Sequence, residues 1–349
     1  MVRSRTAQQI PVVVLAGFLG SGKTTLLNHL LHRSRGSRIG ALVNDFGAIE
    51  IDAMAVAGAL GDSTVSLGNG CLCCAVDASE LDQYLERLAA PAAGLDVIVI
   101  EASGLAEPQE LVRMVLASEL PGIVYGGLVE VVDAAEFDAT RARHPEIDRH
   151  LALADLVVVN KLDRVAEPDR LVPRVRELAP RAAVVPAVHG RIDPEFLFDC
   201  RPGEERVGQL SFDDLHEHDD HAGHLHTGYD SVSFVSGQPL DPRALMRFLD
   251  SRPEGLHRIK GYVDFGPHDI LNRYAVHAVG SFLRFYPEPW APGEERLTQL
   301  VLIGSGIDAP ALGKELEACR SDAPHADEHG MWGVLRYVQG SEDEPGDPV

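Results

Sequence analysis

Short apolar runs alternate with helical patterns over residues 10–200. Five predominantly apolar runs predict β-strands, at Val12–Ala16, Ile39–Val43, Val97–Ile100, Leu128–Val132 and Leu156–Val159. Segments with helical spacing lie between some of these runs, at Thr24–Leu31, Ser79–Leu88 and Pro108–Ala117. Alternation of strands and helices indicates an α/β domain with a mostly parallel sheet and helices on both faces.

The pattern changes near residue 201. Residues 212–228 contain five histidines and five acidic residues, a composition that predicts a solvated linker. Beyond this stretch the order of elements predicts a smaller α+β domain. Its predicted strands are Ser231–Val235, Ile259–Val263, Tyr274–Val279, Phe282–Phe285 and Gln299–Ile303, and its predicted helices are Pro242–Leu249 and Ala309–Cys319.

Five segments follow from these patterns. We expect an N-terminal arm over 1–9, an α/β domain over 10–205, an acidic histidine-rich linker over 206–228, an α+β domain over 229–338 and an acidic tail over 339–349.

The net charge and the number of cysteines limit the classes of binding partner and the cellular compartment that we expect. The 349 residues include 31 Lys and Arg against 53 Asp and Glu, a formal net charge of −22. This charge disfavours nucleic acid and anionic membrane surfaces as partners. We expect no transmembrane helix and no signal peptide, because no apolar run is long enough and none precedes a cleavage site. Five cysteines, an odd number with three of them crowded together, favour a reducing cytoplasm over a disulfide framework.

A phosphate-binding loop is predicted between the first strand and the first helix. Residues 17–24, GFLGSGKT, match the pattern G-x-x-x-x-G-K-[ST] in that structural context. Lys23 is expected to reach the β- and γ-phosphates of a nucleotide, and the Thr24 hydroxyl to bind Mg²⁺. The expected nucleotide-binding residues of this segment are Gly17, Gly20, Ser21, Gly22, Lys23, Thr24 and Thr25.

A base-recognition loop is predicted at the end of the strand Leu156–Val159. The residues Asn160, Lys161 and Asp163 form the pattern N-K-x-D. The Asp163 carboxylate can accept hydrogen bonds from the N1–H and 2-amino groups of guanine, a donor pair that adenine lacks. The sequence therefore predicts a guanine nucleotide, GTP or GDP.

Two further segments are candidates for sensing the nucleotide. Glu101 ends the strand Val97–Ile100, where an acidic residue commonly holds Mg²⁺ directly or through water. Gly104 could present its backbone N–H to the γ-phosphate. Asn44–Gly47 follows another strand and resembles a switch loop, although Asp45 within it could instead be a helix cap or turn residue.

Three cysteines in four positions form the most informative stretch outside the nucleotide motifs. Cys71, Cys73 and Cys74 follow a Gly-rich segment and could converge as thiolates on one soft cation such as Zn²⁺. A buried thiol cluster and a redox or sensor site are the alternatives. Cys200 and Cys319 stand alone, which is typical of inert core thiols.

The histidine-rich linker is a candidate auxiliary metal site. Imidazole and carboxylate groups could hold several divalent ions loosely, and the alternative is a solvated linker with incidental metal affinity. The five histidines are His216, His218, His221, His224 and His226.

Taken together, these motifs resemble the CobW family of P-loop GTPase metallochaperones. The resemblance rests on residues 17–31, 44–52, 68–74, 101–108 and 160–163, with HRIKGYV at 257–263 and LVLIG at 300–304. It implies a P-loop NTPase fold and GTP hydrolysis with Mg²⁺. It also implies Zn²⁺ or Co²⁺ as cargo on the three cysteines, delivery to a client metalloprotein, and possible homo-oligomers. The catalytic residues it implies are Lys23, Thr24, Glu101 and Gly104.

The chain departs from the family pattern in its switch loop, which usually reads N-E-F-G and here has Asp45. It also lacks the Cys-Pro-containing extension of some zinc-delivering members. Other functions stay open from the residues alone. They are a metal-independent regulatory GTPase, a thiol-based redox sensor or enzyme, a passive metal store on the histidine tract, and a small-molecule kinase.

Overall fold

The computed structural model describes residues 9–33, 37–43, 64–66, 78–104, 107–198, 230–321, 327 and 329–338. The chain divides into two compact units, Met1–Tyr229 and Asp230–Val349.

The described part of the first unit consists of a seven-stranded parallel sheet and six α-helices. Its strands are β1 (Ile10–Ala16), β2 (Ile39–Val43), β3 (Thr64–Ser66), β4 (Val97–Glu101), β5 (Ile123–Asp133), β6 (Leu156–Asn160) and β7 (Ala183–Pro186). Its helices are α1 (Lys23–His32), α2 (Ala78–Ala89), α3 (Pro108–Ala117), α4 (Phe137–Arg143), α5 (Ile147–Leu153) and α6 (Pro168–Leu178), with short 3₁₀ turns at Leu162–Arg164 and Pro194–Phe196.

The seven strands lie in the order β3-β2-β4-β1-β5-β6-β7, and every neighbouring pair is parallel. Strands β1, β2, β4 and β6 are buried along their whole length. This agrees with their uninterrupted apolar sequences, because a parallel sheet is covered on both faces. The order puts β1 in the centre, so the loop that follows it lies in the middle of the carboxyl edge.

The predicted strands and helices of this unit are confirmed within a few residues. The largest difference is β5, which begins five residues earlier than predicted, at Ile123. Strands β3 and β7 and helices α4, α5 and α6 were not predicted. The two strands have only three and four residues. The helices α4 and α5 have seven each, and α6 carries Pro173 inside it, so periodicity gives a weak signal for all five.

The second unit is an antiparallel sheet with helices packed against it, which confirms the predicted α+β arrangement. Its strands, β8 (Asp230–Ser236), β9 (Leu256–Val263), β10 (Asn272–Val279), β11 (Phe282–Pro289) and β12 (Thr298–Gly304), lie in the order β11-β10-β9-β12-β8. The helices are α7 (Pro242–Asp250), α8 (Ala309–Glu317) and the short α9 (Trp332–Leu335), with a 3₁₀ turn at Gly266–His268. One apolar core joins helices and sheet, with Phe265 and Phe285 fully buried in it.

Candidate nucleotide-binding site

The loop between β1 and α1 has the backbone conformation that phosphate binding requires. Gly17, Gly20 and Gly22 all have positive φ, at 142°, 78° and 105°. A side chain at Gly22 would collide with the amide group of Asn160, and one at Gly17 would collide with the Val131 carbonyl. The glycines are therefore needed for both conformation and space, and the loop lies directly against β5 and β6.

Lys23, the first residue of α1, is held inside this loop. Its ammonium group donates to the carbonyl of Gly17 at 2.9 Å and to that of Phe18 at 3.4 Å, and its side chain is buried. The positive charge of Lys23 therefore lies within the phosphate loop, at the N-terminus of α1. An anionic phosphate is attracted there by the ammonium group and by the helix dipole.

Thr24 and Glu101 meet next to Lys23. The Thr24 hydroxyl donates a 2.7 Å hydrogen bond to Oε1 of Glu101, which is the last residue of β4 and is buried. A hydroxyl and a carboxylate are the hard oxygen donors that Mg²⁺ prefers, and Mg²⁺ is usually bound by one or two such groups together with nucleotide phosphates. The two residues therefore fit the magnesium ion that accompanies a nucleotide.

Gly104 approaches the phosphate loop from the other side. A Cβ atom at this position would lie 2.6 Å from the backbone nitrogen of Leu19. The segment after β4 can come this close only because residue 104 has no side chain. Glycine at this position brings the predicted γ-phosphate sensor into contact with the loop.

The predicted base-recognition residues are anchored to the phosphate loop. The Asn160 amide donates to the Ser21 carbonyl at 3.0 Å and accepts from the Gly190 backbone N–H at 2.8 Å. The Lys161 ammonium donates to the Gly20 carbonyl at 2.6 Å and to Asp133 at 2.7 Å. Hydrogen bonds from Asn160 and Lys161 thus hold the phosphate loop and the base-recognition loop together.

Asp163 lies on the 3₁₀ turn that follows and is exposed, so its carboxylate is accessible to a base. Two parts of this region were missed from the sequence. Asp133, at the end of β5, accepts from Lys161, and the segment Ala187–Gly190 after β7 borders Asn160. The only sequence signal was a short apolar run, Ala183–Val185, followed by a glycine.

Phe18 of the phosphate loop contacts two histidines of the α4–α5 region. Its ring lies 5.0 Å from that of His144 and stacks at 5.9 Å on that of His150. His150 Nε2 lies 3.4 Å from the carboxylate of Glu107, at the start of α3. Burial lowers the pKa of His150, and the Glu107 carboxylate acts in the opposite direction. A ring contact and a charged contact therefore connect Phe18, through His150, to Glu107, which follows Glu101 and Gly104 in the chain.

Three neighbouring strands end level with one another at the carboxyl edge. Val43 is in register with Ser66 on one side and with Glu101 on the other. Neighbouring strands are about 4.8 Å apart, so Ser66 lies roughly 10 Å from Glu101 along the sheet. The chain leaves β3 at this point, five residues before Cys71.

Several predicted residues lie outside the described ranges. They are Cys71, Cys73, Cys74, Cys200, the switch loop Asn44–Gly47 and the histidines His216, His218, His221, His224 and His226. Within those ranges no three His, Cys, Asp or Glu side chains converge to hold a metal ion. Cys319 is a buried thiol, as predicted, and burial raises its pKa to about 11. No helix of the described residues is long and apolar enough to cross a membrane.

Comparisons with known proteins identify both domains of the chain. Residues 11–186 match the CobW/HypB/UreG nucleotide-binding domain, and residues 229–320 match the cobalamin synthesis protein CobW C-terminal domain. The chain is 30% identical to the zinc chaperone CobW of a Sinorhizobium species, over 87% of this chain and 95% of that protein. It is 32% identical to the zinc chaperone CobW of Pseudomonas aeruginosa, over 89% and 92%.

Among solved structures, the Zn(II)-bound YjiA GTPase of Escherichia coli is similar, with 23% identity, a TM-score of 0.43 and coverage of 90% of this chain and 100% of that chain. The match of the first domain model to half of the chain, together with the two CobW relatives at 30% and 32% identity, shows the family. The chain belongs to the CobW/HypB/UreG family of P-loop GTPases.

Proposed function

We propose that this protein is a GTP-dependent metallochaperone that carries Zn²⁺ or Co²⁺ on Cys71, Cys73 and Cys74 and transfers it to a client metalloprotein. GTP, with Mg²⁺ on Thr24 and Glu101, controls the transfer. Two relatives that match most of this chain are named zinc chaperones. Three thiolates suit these metals and leave one ligand position for a group of the client.

The observation that carries the proposal is the alignment of Ser66, Val43 and Glu101 at one edge of the sheet. Cys71 is the fifth residue after Ser66, and an extended chain of that length spans at most ~18 Å. This short spacing along the chain supports a coupling between the proposed metal site and the edge at which Thr24, Glu101 and Gly104 lie.

Each group of described site residues has a separate role in the proposed nucleotide cycle. Lys23 and the loop N–H groups hold the phosphates, and Asn160, Lys161 and Asp163 hold guanine. Thr24 and Glu101 would hold Mg²⁺, which neutralises the charge that develops on the phosphates. Gly104 lies against Leu19 of the phosphate loop, so a change from GTP to GDP at this loop would alter the position of the segment that follows Glu101.

In this account the GTP-bound protein holds the metal and docks the client. Hydrolysis loosens the thiolate site, and the metal moves to the client by ligand exchange. A coupling of about 1–3 kcal/mol changes the metal affinity roughly 5–150-fold. Thiolate ligands require a reducing compartment, which supports the cytoplasm as the proposed location. The histidine tract serves as an auxiliary capture site.

The test is a metal titration against a competing chelator. Zn²⁺ and Co²⁺ are added to metal-free protein, to the Cys71/Cys73/Cys74→Ser variant and to Cys319→Ala, which removes a buried thiol of the second unit. We expect one tight site that is lost in the triple variant and kept in Cys319→Ala. Survival of the tight site in the triple variant would overturn the proposal. Strong thiol reactivity without tight metal binding would instead favour a redox sensor.

A further inference from the structure

Glu130 is a fully buried carboxyl group on the central part of the sheet. It lies on β5, between Ala16 of β1 and Val157 of β6 in the strand register, and none of its surface is exposed. Neither carboxyl oxygen has a hydrogen-bond partner in the described part of the chain. A buried, unpaired carboxylate is costly, so a group in this environment favours its neutral form.

The residue lies directly beneath the phosphate loop. Its strand partner Ala16 precedes Gly17, whose carbonyl accepts from Lys23, and the next residue, Val131, contacts Gly17 closely enough to exclude a side chain. Helices α3 and α5 pack against β5. The buried side chains of these two helices are Pro108, Leu111 and Val115, and Ile147, His150 and Leu151.

His150 is the titratable group among these buried side chains. Lys23 of the loop is the charged group that acts on the Glu130 carboxyl. Burial raises the pKa of Glu130 to about 8, and Lys23 is the charge that opposes this rise. A nucleotide would change that balance, because its phosphates neutralise the ammonium group and add negative charge above the loop. Both effects make the ionised carboxyl less favourable.

We propose that Glu130 is a positioning residue of the phosphate site, which must carry its proton for Lys23 to serve the nucleotide phosphates. When neutral, it leaves the Lys23 ammonium group available to the phosphates. When ionised, it attracts that ammonium group and repels the phosphates. Nucleotide binding by the ionised protein then takes up one proton, on the Glu130 carboxylate. This inference rests on the nucleotide site proposed above, but not on the metal cargo.

The test uses the full-length, cargo-free protein with Mg-GDP, which is not hydrolysed. The dissociation constant is measured between pH 7 and pH 9 for wild type, Glu130→Gln and Glu136→Gln. Gln keeps the shape of the side chain without its charge, and Glu136 is an exposed carboxyl six residues further on. Guanine N1 also ionises at high pH, but it affects all three proteins equally.

Linkage sets the expected size of the effect. A group with a pKa near 8 is about nine-tenths ionised at pH 9, so affinity of the wild type should fall roughly tenfold more than that of Glu130→Gln. Glu136→Gln should follow the wild type. Calorimetry of the wild type in two buffers of different ionisation enthalpy should show uptake of about half a proton per nucleotide at pH 8, where guanine N1 is still almost fully protonated. This calorimetric measurement uses only the wild type, so it tests the inference even if Glu130→Gln does not fold.

Equal pH profiles for wild type and Glu130→Gln, or binding without this proton uptake, would overturn the inference and leave the nucleotide site intact. Absence of Mg-GDP binding at any pH would overturn the nucleotide site itself, and the inference with it.

Discussion

The Thr24 hydroxyl donates a 2.7 Å hydrogen bond to the Glu101 carboxylate, although 77 residues separate the two in the chain. Adjacent parallel strands make this possible, since Thr24 follows β1 and Glu101 ends β4 at the same edge. The bond holds the hydroxyl and the carboxylate together beside Lys23, the arrangement in which we propose that they bind Mg²⁺.

Removal of the Thr24 hydroxyl should weaken magnesium-dependent nucleotide binding. We expect Thr24→Ala to lower GDP affinity at saturating Mg²⁺ roughly 10–100-fold, the equivalent of about 1.5–3 kcal/mol for a contact to a charged group. Affinity without Mg²⁺ should change little. Isothermal titration with and without Mg²⁺ measures both values. Thr24→Ser keeps the hydroxyl and should bind like the wild type, and equal losses in Thr24→Ser and Thr24→Ala would refute a role for the hydroxyl.

Asp163 should determine the choice of base. Asp163→Asn replaces one acceptor with a donor, so it should bind GDP roughly 5–150-fold more weakly, at a cost of about 1–3 kcal/mol. It should gain affinity for xanthosine diphosphate, whose base carries a carbonyl in place of the 2-amino group. Competition binding with both nucleotides provides the measurement. Asp169→Asn, an exposed residue on α6, is the control, and an unchanged base preference in Asp163→Asn would contradict the assignment.

Asp133 should support guanine binding through Lys161. Lys161 has a left-handed backbone, with φ of 61°, and its ammonium group bridges Gly20 and Asp133. Asp133→Asn removes the charge that holds this bridge, and we expect a GDP affinity about 3–10-fold lower. The exposed Arg174–Asp138 pair is a matched contrast, so Asp138→Asn should leave GDP affinity unchanged. Similar affinities for Asp133→Asn and Asp138→Asn would show that the bridge does not matter.

Glu130 should make the first unit less stable as pH rises. The pKa of Glu130 is raised to about 8 by burial, whereas an unfolded glutamate titrates near ~4.3. Between these values the folded state binds a proton that the unfolded state does not. The free energy of unfolding should therefore fall by up to ~1.4 kcal/mol per pH unit relative to Glu130→Gln.

Urea unfolding followed by circular dichroism at pH 5.5, 6.5 and 7.5 measures this slope. Tryptophan fluorescence would not, because Trp290 and Trp332 both lie in the second unit. A constant stability difference between wild type and Glu130→Gln across these pH values would mean that the carboxyl is not held neutral in the folded protein.

The sequence predicted most of the fold and the residues that carry motifs. The phosphate loop, Glu101 and the residues Asn160 and Lys161 lie where their patterns placed them, because strand ends and glycine spacing fix local geometry. Asp133 was missed because its role depends on Lys161, 28 residues away. Glu130 was not singled out, because it lies inside the predicted strand Leu128–Val132 and a sequence pattern does not show which buried carboxyl group lacks a hydrogen-bond partner among the described residues.

The proposed function requires that the nucleotide state changes the affinity for metal. Zn²⁺ affinity is measured by chelator competition for the protein with a non-hydrolysable Mg-GTP analogue, with Mg-GDP and without nucleotide. We expect the GTP-analogue form to bind Zn²⁺ at least fivefold more tightly than the GDP form, and Cys71/Cys73/Cys74→Ser to abolish the difference. Identical Zn²⁺ affinities in all three nucleotide states would contradict it.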